Sequence, residues 1–238
     1  MRNRNPVTSP LVLARVAGIL YLLLVPLGVF GIIYVPSVLI EEGAAENTVS
    51  NIMASESLFR LSIVSALMVQ LVNIALVLAL YMLLKPASKT YALLMVILSL
   101  IGVPIAMFNE LNQIVVLLLL SGADYLTVFT ANQLHAQVML SLATHEGGIF
   151  IAGIFWGLWL LPLGYLVFKS VFLPRWIGVL LIIGGFGYLI DSAMFFLLPD
   201  VDITIAQFTF VGEVLLPLWL LIKGVDVEQW ERRALESD

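Results

Sequence analysis

The sequence predicts an all-α fold, a polytopic membrane helix bundle of about six transmembrane helices with short amphipathic helices on its outer face. Three observations predict it. Of 238 residues, 61% are hydrophobic and 11% charged, against roughly 45–50% and 25% in soluble domains. Six apolar runs reach the roughly 20 residues that a spanning helix needs. Between those runs, basic and acidic loops alternate. The mean hydropathy of +1.08 implies more apolar surface than a soluble fold of this length can hide, so lipid must solvate much of it.

The first run, 11–34, follows Arg2 and Arg4 as a secretory signal would. Its apolar stretch from Leu11 to Val35 exceeds the ~7–15 residues of a signal core, and no small-residue cleavage site follows. It reads as a first span kept in the mature protein. Residues 48–60 form an amphipathic lead-in to the second run, 61–84. The third, 91–120, is long enough that it must tilt, kink or project beyond the bilayer. Thr130 and Gln133 have the spacing of a capping box and open a helix over 131–145 that ends before Gly147 and Gly148. That helix lies on the membrane face or, alternatively, begins a very long fourth span. The remaining runs are 148–168, 176–198 and 204–223. Residues 1–225 therefore make one transmembrane domain. Residues 226–238 make a short charged cytoplasmic tail, expected to fray, with Trp230 as an interfacial anchor.

Orientation follows from the lysines and arginines. With six spans, Arg2, Arg4, Lys85, Lys89, Lys169, Arg175, Lys223, Arg232 and Arg233 fall on one side. The other side carries Glu41, Glu42, Glu46, Glu56, Asp124, Glu146, Asp200 and Asp202, with Arg60 as its one basic residue. The reading is a multi-pass cell-membrane protein with both termini in the cytoplasm. Arg15, near the cytoplasmic end of the first span, can snorkel to the headgroups.

Ionisable groups inside spans are costly, at ~2.5–3.5 kcal/mol near a helix centre on insertion scales, so Glu110, Asp191 and Glu213 require explanation. Glu110 lies among Asn109, Asn112 and Gln113, which give the third span a polar face. Gln70 and Asn73 do the same for the second span. Tyr188 precedes Asp191 by about one turn, and Pro217 follows Glu213. At the outer boundary, Glu56 and Arg60 have the spacing of a helical ion pair, beside His145 and Glu146 at the opening of the fourth span. One expectation is a shared polar cavity, open to the outside, that carries protons or binds a cation or small molecule. The alternative is that each acid is protonated or paired on a neighbouring helix and fixes only register.

Other chemistry is poorly supported. Cysteine is absent, which removes disulfides, thiolate ligands and cysteine nucleophiles. His135 and His145 lack the short spacing of a zinc motif, and no nucleophile elbow occurs. Gly184, Gly185 and Gly187 lack the context of a nucleotide loop. No basic patch suits nucleic acid, no cofactor is implied, and the one assured partner is the lipid bilayer. Gly153 and Gly157 form a GxxxG pair, and Ala14 with Gly18 a weaker equivalent; both point to close packing within the chain. Pro26, Pro104, Pro162 and Pro217 fall inside spans and free carbonyls there.

Several stretches together resemble an uncharacterised prokaryotic membrane-protein family, the domain-of-unknown-function family numbered forty-three eighty-six. They are residues 51–60, from Asn51 through Glu56 to Arg60, and 120–125, from Leu120 to Tyr125. His145 with the glycine- and aromatic-rich fourth span, 163–166, Pro174 and Arg175 with Gly178, and 187–191 ending on Asp191 complete the match. The resemblance covers most of the chain. It implies a bacterial or archaeal membrane protein and carries over no catalytic residue; Glu110 and Glu213 lie outside the recognised segments. Two functional expectations follow. One is a small-molecule or ion transporter or ligand-binding protein using the polar cavity. The other is a non-catalytic structural or accessory protein. An intramembrane enzyme is a weaker third, lacking a nucleophile–base pair.

Overall fold

The computed structural model describes residues 9–198, 200–201 and 203–236. Arg2, Arg4, Asp202 and the last two residues of the tail, all used above, lie outside them. Helices make up the described chain, with no strand among the described residues. Five helices are long and apolar enough to cross a membrane: α1 Pro10–Leu39, α3 Glu56–Leu84, α4 Lys89–Leu119, α5 Ala131–Lys169 and α6 Arg175–Leu197. The sixth apolar run forms α7, Ala206–Ile222, which bends by 103° into α8, Val227–Glu236. A short helix α2, Ala45–Ala54, precedes α3.

The boundaries differ from expectation in ways that have local causes. The first helix does not end near residue 34 but continues through Pro36 to Leu39. A proline in a regular helix clashes with the carbonyl four residues back. Here the turns over Val29–Tyr34 widen to a π-helix, and the Val35 N–H donates to Phe30 O five residues back, which makes room for the ring. The lead-in to the second span is a separate helix, because Ser55 leaves helical geometry (φ −128°, ψ 38°) between α2 and α3.

The capping box forms as its spacing requires: Thr130 N–H donates to Gln133 Oε1 at 2.9 Å and Gln133 N–H to Thr130 Oγ1 at 3.3 Å. The helix it opens does not stop before Gly147 and Gly148. It runs on as one 39-residue helix. Gly148 serves packing rather than termination, since a Cβ there would overlap the Asn109 side chain. The segment expected to fray is α8, whose Trp230 is buried and donates from Nε1 to Leu83 O at 2.8 Å. A buried indole N–H needs such a partner, and finding it anchors the helix.

The chain divides into two compact units. The first comprises residues 1–23, 72–102 and 153–238; the second comprises 24–71 and 103–152. In the first, the fully buried side chains Leu76, Leu80, Leu83, Met95, Leu160, Leu163, Leu166, Ile177, Leu181 and Leu216 make the core. Its helices approach until backbones touch. A Cβ at Gly157 would lie 2.6 Å from Gly185 O, and one at Gly164 2.6 Å from Gly178 O. The same seam is tight from the other side, at 2.8 Å for Gly185 against Gly157 O and 2.5 Å for Gly178 against Gly164 O. Gly212 of α7 packs likewise on Leu180 and Leu181 of α6, at 2.7 Å. Lipid gives packed helices no hydrophobic advantage over exposed ones, so close backbone approach is what holds them. The glycines of the predicted GxxxG segment thus serve packing within the chain.

The second unit has its own core of Val35, Leu39, Val49, Ile52, Phe59, Ile63, Val116, Val138 and Leu142. There α1 meets α3 where a Cβ on Gly31 would lie 2.9 Å from Ser62 O, and Ser65 Oγ donates to Leu27 O at 2.9 Å. That hydroxyl supports the helix one residue beyond Pro26. Many outward-facing side chains in both units are apolar; Phe208 in the first unit and Phe108 in the second are each 70% exposed. Lipid is the solvent that such a surface fits.

Candidate functional site

In the second unit, α4 and α5 build a buried polar cluster. Glu110 and Gln113 stand one turn apart on α4 and face His145 of α5. His145 Nε2 lies 3.1 Å from Glu110 Oε1 and 3.0 Å from the Gln113 side-chain nitrogen. Ser62 Oγ of α3 reaches Gln113 Oε1 at 3.4 Å and donates to Phe59 O at 2.7 Å. Asn109 donates to the His145 carbonyl at 2.8 Å, and Asn112 donates to the Asn109 carbonyl and side-chain oxygens, each at 3.1 Å. All of Asn109, Glu110, Gln113 and His145 are buried.

The arrangement constrains one proton. An imidazole nitrogen is a donor or an acceptor, not both. When the Gln113 amide donates to Nε2, that nitrogen has no proton to offer, and Glu110 must be protonated to hydrogen-bond to it. When Nε2 carries the proton, it donates to the Glu110 carboxylate, and the Gln113 amide turns its oxygen inward. Glu110, His145 and Gln113 thus form one hydrogen-bonded chain whose direction depends on the ring tautomer. The other oxygen, Glu110 Oε2, is buried without a hydrogen-bond partner.

In the first unit, Glu213 of α7 accepts from Tyr21 Oη of α1 at 3.3 Å through Oε2. Tyr188 of α6 is also placed to donate a hydrogen bond to the carboxylate. Oε1 of Glu213 is buried without a hydrogen-bond partner. Aromatic rings wall the group: Trp159 stands 6.0 Å from Tyr21, and Trp156 stands edge-on 6.4 Å from Tyr188. Tyr21 escaped the sequence reading because nothing in an apolar run marks one tyrosine as a carboxylate partner.

Asp191 differs from both. Its Oδ1 accepts the Ile205 N–H at 2.6 Å and its Oδ2 the Ala206 N–H at 2.9 Å. These donors open α7, where no helical carbonyl is available to them. Both carboxylate oxygens are therefore satisfied by backbone, as an N-cap from a neighbouring helix.

The remaining predicted positions are accounted for individually. Asn73 donates to Ser99 Oγ at 3.0 Å, joining α3 to α4 in the first unit, while Gln70 is buried on α3 in the second. Arg60 pairs with Glu56 at 2.6 Å as the spacing predicts; both ends are exposed, so screening keeps the pair weak. Glu146 is exposed. Glu110, Asn109, Asn112 and Gln70 thus belong to one unit, and Asp191, Tyr188, Glu213 and Asn73 to the other. Among the described residues, no three His, Asp or Glu side chains gather as metal ligands would.

Comparison with known proteins places these residues in context. A family model described as "Domain of unknown function (DUF4386)" matches residues 16–224, a range that includes every residue of both clusters. An uncharacterised protein of the archaeon Archaeoglobus fulgidus is 32% identical over 163 residues, which cover 68% of this chain and 83% of that protein. No solved structure matches.

Proposed function

The chain belongs to the DUF4386 family, whose function is unknown, and on that premise we propose that it is a small ion- or proton-coupled transporter or ligand-binding protein of the cell membrane. In this reading Glu110 in the second unit and Glu213 in the first each take up and release the coupling ion, by polar access from the outer side. One observation carries it. Glu110, on a helix long and apolar enough to cross a membrane, and Glu213, on the apolar helix α7, each keep a buried oxygen with no hydrogen-bond partner. A buried polar atom left unsatisfied costs about 1–3 kcal/mol, a cost that a purely structural residue has no reason to retain. A proton or cation satisfies it when present. A carboxyl group in hydrogen-bonding contact with an imidazole, as Glu110 is with His145 at 3.1 Å, is the pairing that intramembrane proton relays use.

The charge distribution supports the orientation. Lys85, Lys89, Lys169, Arg175, Lys223, Arg232 and Arg233 fall on the same side of six spans, which the positive-inside rule assigns to the cytoplasm along with both termini.

Asp191 favours a second reading, a non-catalytic accessory membrane protein, because both its oxygens are spent on capping α7. Single thiols separate the two readings, since the chain has no native cysteine. Glu110→Cys and Glu213→Cys, probed in intact cells with a small membrane-impermeant thiol reagent, are expected to react, and Leu163→Cys in the core is not. Silence at both glutamate positions in folded protein would favour the accessory reading.

A further inference from the structure

Apart from the buried acids, the first unit carries a surface cavity lined by Tyr165, Phe168, Lys169, Val171, Arg175 and Arg233. Three of its six lining residues are cations, and they come from three different helices. Lys169 ends α5, Arg175 opens α6, and Arg233 lies on α8. Among the described residues no ion pair holds Lys169 or Arg175. Arg233 has one acidic partner, Glu236, at 3.5 Å on its own helix. Aromatic rings position two of the cations instead. Lys169 Nζ stands 5.5 Å from the centre of the Tyr165 ring, and the Arg175 guanidinium 5.8 Å from that of Phe168. The ring of Tyr165 is itself braced by Tyr91 at 4.2 Å.

The backbone adds a further sign of a built site. Val171 has φ 61°, a left-handed conformation that a β-branched residue adopts only under constraint. It turns the chain between α5 and α6 so that Lys169 and Arg175 face one cavity. Trp230, buried and bonded to Leu83 O, fixes α8 and so holds Arg233 at the rim. The N-terminus of α6, where Arg175 stands, adds the positive end of a helix dipole.

We propose that this cavity binds a phosphate group, supplied by the headgroup of an anionic phospholipid. The chemistry of the lining selects it. Lys169 and Arg175, without carboxylate partners among the described residues, and Arg233, held only by a long contact to Glu236, match a phosphate anion. The apolar Phe168 and Val171, both exposed to the surroundings, offer a surface for the acyl chains beside it. Basic pockets between helix ends at a membrane boundary are the usual place for such headgroups. The site is independent of the proposed transport role, since none of its residues belongs to the Glu110 or Glu213 cluster.

The test is native mass spectrometry of the full chain purified in detergent and titrated with dioleoyl phosphatidylglycerol or dioleoyl phosphatidylcholine. Phosphatidylglycerol is expected to be retained in preference to phosphatidylcholine. Lys169→Ala, Arg175→Ala and Arg233→Ala should each weaken retention about fivefold, the effect of one surface cation on an anionic lipid. Arg233→Gln, a polar replacement of similar length at a half-buried position on α8, guards against misfolding of the other variants and should show the same loss. The double variant Lys85→Ala/Lys89→Ala, which removes two cations outside the cavity, should bind as the unaltered chain does. Equal retention of the two lipids, or equal loss in the control double variant, would overturn the site. Competition by millimolar inorganic phosphate would assign the cavity to free phosphate and overturn the lipid source.

Discussion

Leucine at Gly164 is expected to separate α5 from α6 and to unfold the first unit well below the melting temperature of the unaltered chain. The reason is the seam in which Gly157 meets Gly185 and Gly164 meets Gly178, with carbonyl oxygens 2.5–2.8 Å from where a Cβ would stand. The obstacle is backbone on both sides, so no side-chain rotation can relieve it. Overpacking of a tight contact costs roughly 1–3 kcal/mol and occasionally more, and helix pairs in lipid have little else to hold them together. The check is the fraction remaining monodisperse by size-exclusion chromatography after heating. Gly164→Leu and Gly178→Leu should both lose it early, whereas Gly28→Leu, where a Cβ would meet nothing within 4 Å, should not. An unchanged profile for Gly164→Leu would mean that the two helices do not meet through these glycines.

The second large effect is expected at Asp191. Replacing it with leucine strands the Ile205 and Ala206 N–H donors at the start of α7. Each buried donor left without a partner costs about 1–3 kcal/mol, so the variant should lose several degrees of thermal stability and exchange those amides faster. Asp191→Asn retains one acceptor oxygen and should lose about half as much. Amide hydrogen exchange followed by mass spectrometry reads the effect locally, at residues 205–206 against the interior of α6. Protection that is unchanged in Asp191→Leu would show that the carboxylate does not cap the helix. On the proposed transport reading, flux per folded molecule should be the same in Asp191→Asn as in the unaltered chain, because both oxygens of this acid are committed to backbone.

The contrast between the three acids shows how far the sequence could be read. Hydropathy located all six apolar runs, because a backbone in lipid must satisfy its own hydrogen bonds and so forms long helices. The Glu56–Arg60 pair and the Thr130–Gln133 box also followed from spacing, since both are local. What spacing could not show was which helix faces meet. In a span apolar on all sides, periodicity does not mark the buried face. Thus Glu110 with His145, Glu213 with Tyr21 and Asp191 with the start of α7 emerge only from tertiary structure. The same limit explains the glycines. Gly148 reads locally as a helix stop, but α5 continues through it, and the glycine is there because the Asn109 side chain occupies the space a Cβ would need. The run past Pro36 needed a π-helical turn that no residue pattern announces.

The central claim is that Glu110 and Glu213 exchange a coupling ion rather than hold the bundle together. Proteoliposomes carrying the purified chain and an internal pH-sensitive dye test it most directly, with potassium and sodium gradients imposed in turn across the membrane. The account predicts dye responses above those of empty liposomes, reduced at least tenfold, equivalent to about 1.4 kcal/mol, in both Glu110→Gln and Glu213→Gln. Both variants should elute as the unaltered chain does. Responses equal to those of empty liposomes under every gradient, or undiminished in the two glutamine variants, would contradict it and leave these acids as structural members of a membrane helix bundle.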